Sequence, residues 1–131
     1  VHDRRGLTIL VRNALIRRVV LAQRDDAKAL GELDADWGFG EGRWRRVLDA
    51  FYDAHEDVLL DAHARSMAFF SVDDSDEKSA HVWHVHQVFS DTDEDHDFGI
   101  MADVDLDATQ ETGEVAFKNY RVGFVEELLG R

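Results

Sequence analysis

Three observations predict an α+β fold. Phe98, Ile100, Ala102, Val104 and Leu106 are apolar, with Asp97, Gly99, Asp103, Asp105 and Asp107 between them and Met101 the one exception. That period of two describes a strand with one buried and one wet face. The stretches 81–89 and 114–122, rich in β-branched and aromatic residues, read as two further strands. The first half of the chain carries apolar residues at three-and-four spacing, the signature of helices that could cover one face of a sheet. We therefore expect two N-terminal helices packed on a four-stranded antiparallel sheet, as one domain over residues 1–131. A cystatin- or NTF2-like roll is one shape such an arrangement can take.

In chain order, residues 7–30 read as one long helix. Leu7, Leu10, Val11, Ala14, Leu15 and Ala22 form its stripe, and Ile9, Ile16, Val19 and Val20 widen it beyond half the circumference. A helix apolar around so much of its girth is wrapped by its own domain or presses on a neighbour. Gly31 is the expected stop. Residues 32–42, with three glycines and four acidic residues, should be a loop pinned by Trp37 and Phe39. Residues 43–55 give the cleanest helical pattern, with Trp44, Val47, Leu48, Phe51, Tyr52 and His55 on one face, and this helix should lie across the sheet. Residues 56–65 fit either a helical turn or a connection. Residues 66–72 read as the first strand, 73–80 as an acidic turn, 90–96 as an acidic loop, 106–113 as a polar connection and 125–129 as a closing helical turn.

The 131 residues suffice for one core, and 44% apolar content argues against disorder. The chain has no cysteine, which excludes disulfides, thiolate metal sites and a thiol nucleophile. No apolar run is long enough for a transmembrane helix, and the N-terminus does not read as a signal peptide, so a soluble, cytoplasmic protein is expected. Because the chain starts at Val1 and soon enters a helix, we expect an excised domain of something longer. The net charge of −13 divides into +4 over residues 1–31 and −17 over residues 32–131. An acidic body repels phosphate backbones, which leaves the first helix as the one basic surface.

Several constellations could carry chemistry. His81, His84, His86 and His96 fall close together, and His84 and His86 share a strand face at chelating spacing, with Asp95 or Asp97 as a carboxylate. A solvated strand face accounts for them equally, and they match no zinc signature. Asp91, Asp93 and Asp95 have the first spacings of a calcium loop, but His96 and Ala102 stand at its sixth and twelfth positions. Asp103, Asp105 and Asp107 place Glu114 at the twelfth position but Ala108 at the sixth. We therefore expect no metal site. If a helix-covered sheet enclosed a pocket, Asp103, His84, Tyr120 or His55 would be its acid–base groups, although nothing in the sequence brings them to one point. Arg4, Arg5, Arg12, Arg17, Arg18 and Arg24 form a basic helix surface, with Arg12, Arg17 and Arg18 the candidate phosphate contacts. The competing reading pairs these arginines with the acidic half of the chain. Neither G-x-x-x-x-G-K-[ST] nor G-x-G-x-x-G occurs, so ATP hydrolysis by this chain is not expected.

The runs Gly6-Leu-Thr-Ile-Leu-Val-Arg-Asn-Ala-Leu15 and Leu30-Gly-Glu-Leu-Asp34 resemble the C-terminal domain of actinobacterial DEAD/DEAH-box helicases, a domain of unknown function (DUF3516). So do Val82-Trp-His-Val-His-Gln-Val88, Asp95-His-Asp97, Ala102-Asp-Val-Asp-Leu-Asp107 and Tyr120-Arg-Val-Gly123. The resemblance spans nearly the whole chain with the motifs in order. It implies a domain that follows an ATP-dependent helicase core carrying the Walker motifs, with ATP and Mg bound by that core only. It supplies no catalytic residues and no cofactor for this chain. The expected function is thus a non-catalytic accessory module that docks on the helicase core in cis or guides nucleic acid, with homodimerisation left open. The alternative, of another class, is an NTF2-like pocket-bearing small-molecule binder or isomerase-type enzyme.

Overall fold

A computed structural model describes residues 3–130. The first helix, α1 (Arg4–Gln23), starts where the Asp3 carboxylate accepts the Gly6 N–H. Leu7, Val11, Leu15, Val19 and Ala22 face the core at the spacing the sequence predicts. The helix does not run to residue 30. Asp25 takes a left-handed backbone conformation (φ 55°), and Asp26 caps a second helix, α2 (Ala27–Asp34), by accepting the Ala29 N–H. Three consecutive polar residues (Arg24, Asp25 and Asp26) thus cut the helix at a point where the apolar periodicity by itself showed no break.

Gly31 is not a stop but lies inside α2. A Cβ there would fall well within contact distance of the Glu41 backbone, so glycine lets α2 approach the next helix closely. The expected loop at 32–42 is shorter than predicted. A 3-10 turn at Ala35–Trp37 ends at Gly38 (φ 81°), and Phe39 is buried while Trp37 is half-buried, which pins the segment as expected. Helix α3 (Glu41–Ala54) buries Trp44, Leu48 and Phe51. Full burial of each such side chain contributes about 1.5–3 kcal/mol.

Helices α1, α2 and α3 are joined through one carboxylate. Asp34 is fully buried. Its Oδ1 accepts from Arg18 Nη2 (2.9 Å) and Trp37 Nε1 (2.8 Å), and its Oδ2 from Trp44 Nε1 (2.9 Å).

Two antiparallel sheets follow. The larger has four strands, β2 (Phe70–Asp73), β3 (Val82–Val88), β5 (Phe98–Asp105) and β6 (Phe117–Phe124), side by side in that order. The smaller pairs β1 (Val58–Leu59) with β4 (Ser90–Asp91), in the register Val58 to Asp91 and Leu59 to Ser90. Residues 66–69, expected in the first strand, are turn. Short helices α4 (Glu77–Ala80), α5 (Leu106–Thr112) and α6 (Val125–Leu128) fill the connections. The polar segment predicted at 106–113 is helical because Asp105 caps it, accepting the Ala108 N–H, and Gly113 (φ 78°) ends it.

Trp83, Val85, Phe98, Ile100, Ala102, Val104, Tyr120 and Val122 form the buried sheet face against the helices. On β6 the alternation breaks at a bulge. Met101 pairs with Arg121 but Asp103 with Lys118, and Asn119 takes φ 48°. The additional residue turns both Phe117 and Tyr120 into the core, although they are three apart. Among the described residues the architecture is α+β with two antiparallel sheets, and the segment before the first strand forms three helices rather than two.

Candidate functional site

The most concentrated polar chemistry forms where α3 ends. His55, the last residue of the α3 apolar face, leaves the helix with extended backbone (φ −133°, ψ 150°) and is 4% exposed. Three residues later β1 begins, and its pairing with β4 sets Val58 opposite Asp91. This two-rung ladder carries the acidic loop 91–97 over the His55 ring. Nδ1 of His55 lies 2.9 Å from Asp93 Oδ2, 3.7 Å from Asp91 Oδ1 and 4.0 Å from Asp95 Oδ2. Nε2 lies 2.8 Å from Asp97 Oδ1. Phe51 and Phe124 flank the ring, with centroids 5.1 and 6.5 Å away.

Asp91 organises the loop from inside. Its buried carboxylate accepts the N–H groups of Asp93 (2.9 Å) and Asp95 (3.0 Å) on Oδ1 and that of His96 (2.9 Å) on Oδ2. Two residues that it encloses, Glu94 (φ 57°) and His96 (φ 51°), adopt left-handed backbone, a conformation that persists only where surrounding bonds fix it. Burial by itself would raise the Asp91 carboxyl. The N–H donors of Asp95 and His96, the His55 charge and the Asp93 N–H overcome this and hold it below its ordinary value. Burial likewise would lower His55, but the hydrogen bonds to Asp93 and Asp97, with the Asp91 charge, raise it above its ordinary value. Carboxylates only accept, so two short contacts to opposite ring nitrogens describe an imidazolium that donates to both.

The predicted histidine cluster is not a cluster in space. His84 on β3 bridges Asp103 (Nδ1, 2.6 Å) and Asp76 (Nε2, 2.6 Å), which hold its pKa at about 9 against the opposing effect of partial burial. His81 precedes the strand with φ 57° and meets Asp107 at 3.0 Å. His86 shares the His84 face, with Nε2 buried and unpartnered, and burial lowers its pKa. His96 packs edge-on against Phe69, with centroids 4.8 Å apart. The four therefore answer to different neighbours. Of the acid–base candidates, His84 and Asp103 do meet. Tyr120 is buried on the helix-facing side of the sheet, where desolvation raises its phenol well above the ordinary value, and His55 sits at the far end of α3. They surround no common point.

The candidate phosphate contacts also separate. Arg18 is buried, ion-paired to Asp34 and set over the Phe117 ring at 5.5 Å, so it drops out of the basic surface. Its position between the core-facing Leu15 and Ala22 turns it inward. Arg12 donates to the Arg65 carbonyl, and Arg17 remains exposed. An open cleft of about 470 Å³ lies at the other end of α1, lined by Arg4, Leu7, Glu77, His81, Trp83 and Asp107 among others. Trp83 Nε1 donates to Glu77 there (2.7 Å), and Arg4 stacks over the indole at 5.1 Å.

Sequence reasoning singled out His55 and the Asp91–Asp95 spacing separately but not their union. The signal was present as an aspartate at every second position from 91 to 97. Linking it to His55 required the β1–β4 pairing, which two residues of propensity cannot announce.

No curated protein and no solved structure matches the chain. The family model for a domain of unknown function, DUF3516, matches residues 1–122, all but the last nine positions. By that match, the chain whose α3 terminus gathers His55 and four aspartates belongs to the DUF3516 family.

Proposed function

We propose that this domain is a non-catalytic accessory module of a longer ATP-dependent DEAD/DEAH-box helicase, and that it docks on the helicase core in cis. The observation that carries this reading is the outer face of α1. Ile9 and Leu10 are 49% and 38% exposed, although the opposite side of the same helix is buried from Leu7 to Ala22. Exposed Arg5 and Arg17 border them. An apolar centre with arginines at its rim has the composition of a protein-docking patch. The resemblance of the motifs at 6–15, 30–34 and 82–88 supports the helicase as the partner.

In this reading ATP and Mg belong to the core, and nucleic acid reaches the domain through the parent protein, with Arg12 and Arg17 as auxiliary contacts in a cytoplasmic setting. The space between helices and sheet is filled by Trp44, Trp83, Phe51, Phe89, Phe98 and Leu48. That packing favours the accessory role over an NTF2-like roll built around an internal ligand pocket.

Size-exclusion chromatography and crosslinking with the separately expressed core test the proposal. Association that is lost in Ile9→Asp/Leu10→Asp is expected. No association at concentrations on the order of 50 μM would overturn docking, and association of the domain with itself alone would reassign the patch to a homodimer.

A further inference from the structure

The acidic loop differs from a patch of surface carboxylates in what lies beneath it. Its centre is an imidazole 4% exposed, whose Nδ1 faces oxygens of Asp91, Asp93 and Asp95 while Nε2 is held by Asp97. One ligand atom from each of His55, Asp91, Asp93 and Asp95 lies within 4.8 Å of the others. Two ligands bound about 2.1 Å from one ion stand roughly 3 Å apart when adjacent and roughly 4 Å apart when opposed. The 2.9, 3.7 and 4.0 Å separations about Nδ1 fall on that range.

Two further features point to a cation rather than to a self-sufficient cluster. Four carboxylates face one imidazole, and the Asp91 side chain is fully buried, so even an imidazolium leaves the assembly with a net negative charge. The second is the partner of Nε2. Metal-bound histidines characteristically donate their far N–H to a carboxylate, and Asp97 stands in that position. With Nε2–H so committed, Nδ1 donates its proton to Asp93, and a cation that displaces this proton meets a ring nitrogen already aimed at the oxygens of Asp91, Asp93 and Asp95.

The geometry points to a binding site for one divalent transition cation, with His55 Nδ1, Asp91, Asp93 and Asp95 as ligands and Asp97 as the positioning residue. One imidazole with three carboxylates suits zinc or manganese, while calcium and magnesium prefer oxygen alone and monovalent copper prefers sulfur. The cation replaces the Nδ1 proton, which passes to solvent. The side chains of Asp93 and Asp95 are 55% and 57% exposed, giving the ion a route in from solvent. The Asp91 carboxylate, anchored by three backbone N–H groups, presents its ligand from a fixed frame. The ion would tie the end of α3 to the β1–β4 ladder, independently of any docking by α1.

The test uses the whole chain, stripped with chelator, and Zn²⁺ and Co²⁺ as probes. Calorimetry should show saturation at one Zn²⁺ per chain, and Co²⁺ should develop visible d–d bands. The ¹⁵N resonance of His55 Nδ1 should move to a metal-bound position while that of Nε2 stays protonated. Asp93→Asn/Asp95→Asn removes two exposed ligands without touching the core, and should weaken binding by about tenfold or more with an unchanged circular dichroism spectrum. Asp74→Asn/Asp107→Asn, elsewhere on the acidic surface, should bind as the parent does. The proposal is overturned if no saturable binding is seen, if both double variants bind alike, or if His55 keeps imidazolium ¹⁵N shifts in the presence of saturating zinc.

Discussion

Arg18 lies buried against Asp34, with Nη2 2.9 Å from Oδ1 and side-chain exposures of 7% and 0%. The pair joins α1 to the end of α2, and the same carboxylate holds the indoles of Trp37 and Trp44. Removing one partner leaves a charge in the core that water cannot reach, which is costlier than never having built the pair.

Asp34→Ala is therefore expected to destabilise the fold by about 3–5 kcal/mol. Arg18→Met/Asp34→Ala should recover part of that loss, because the stranded guanidinium is gone while two indole N–H groups still lack an acceptor. Urea denaturation of the two variants measures the difference. Equal losses would mean that Asp34 acts only through the tryptophans.

His84 makes stability depend on pH. Asp76 and Asp103 raise its folded pKa to about 9, above the ordinary histidine value. Its contribution is fully present below the unfolded pKa, near 6.5, and is lost as pH rises through about 9. The urea midpoint should fall across that window in the parent and fall less in His84→Asn. Parallel curves for the two proteins would remove His84 as the cause.

Gly31→Ala exchanges glycine for the best helix former yet should destabilise. The new methyl meets the Glu41 backbone, so α2 and α3 must part, at about 1–3 kcal/mol for overpacking. A lowered thermal midpoint is expected. A raised one would show that helix propensity outweighs the close approach.

Asp91→Ala strips the acceptor from the N–H groups of residues 93, 95 and 96. Those amides should exchange with solvent far faster, at a cost of about 1–3 kcal/mol for the orphaned donors, while amides of β5 stay protected. Uniform loss of protection would mean that the loop and the sheet open as one unit.

Period-two alternation from Phe98 to Leu106 and the Trp44–His55 stripe are visible along the chain because one buried face imposes its own rhythm on consecutive residues. From them the sequence by itself determined an α+β domain, the α3 face and the central strands. Where a position's role depends on a residue distant in the chain, that rhythm is silent. The break at Asp25, the burial of Arg18 on Asp34 and the close approach at Gly31 are each set by a partner from another element. The same holds for His55 and the loop 91–97. Each is legible as residues, but only the pairing of Val58 with Asp91 brings the imidazole under the carboxylates. Tertiary structure decided the site because its attraction acts through space between segments more than thirty residues apart.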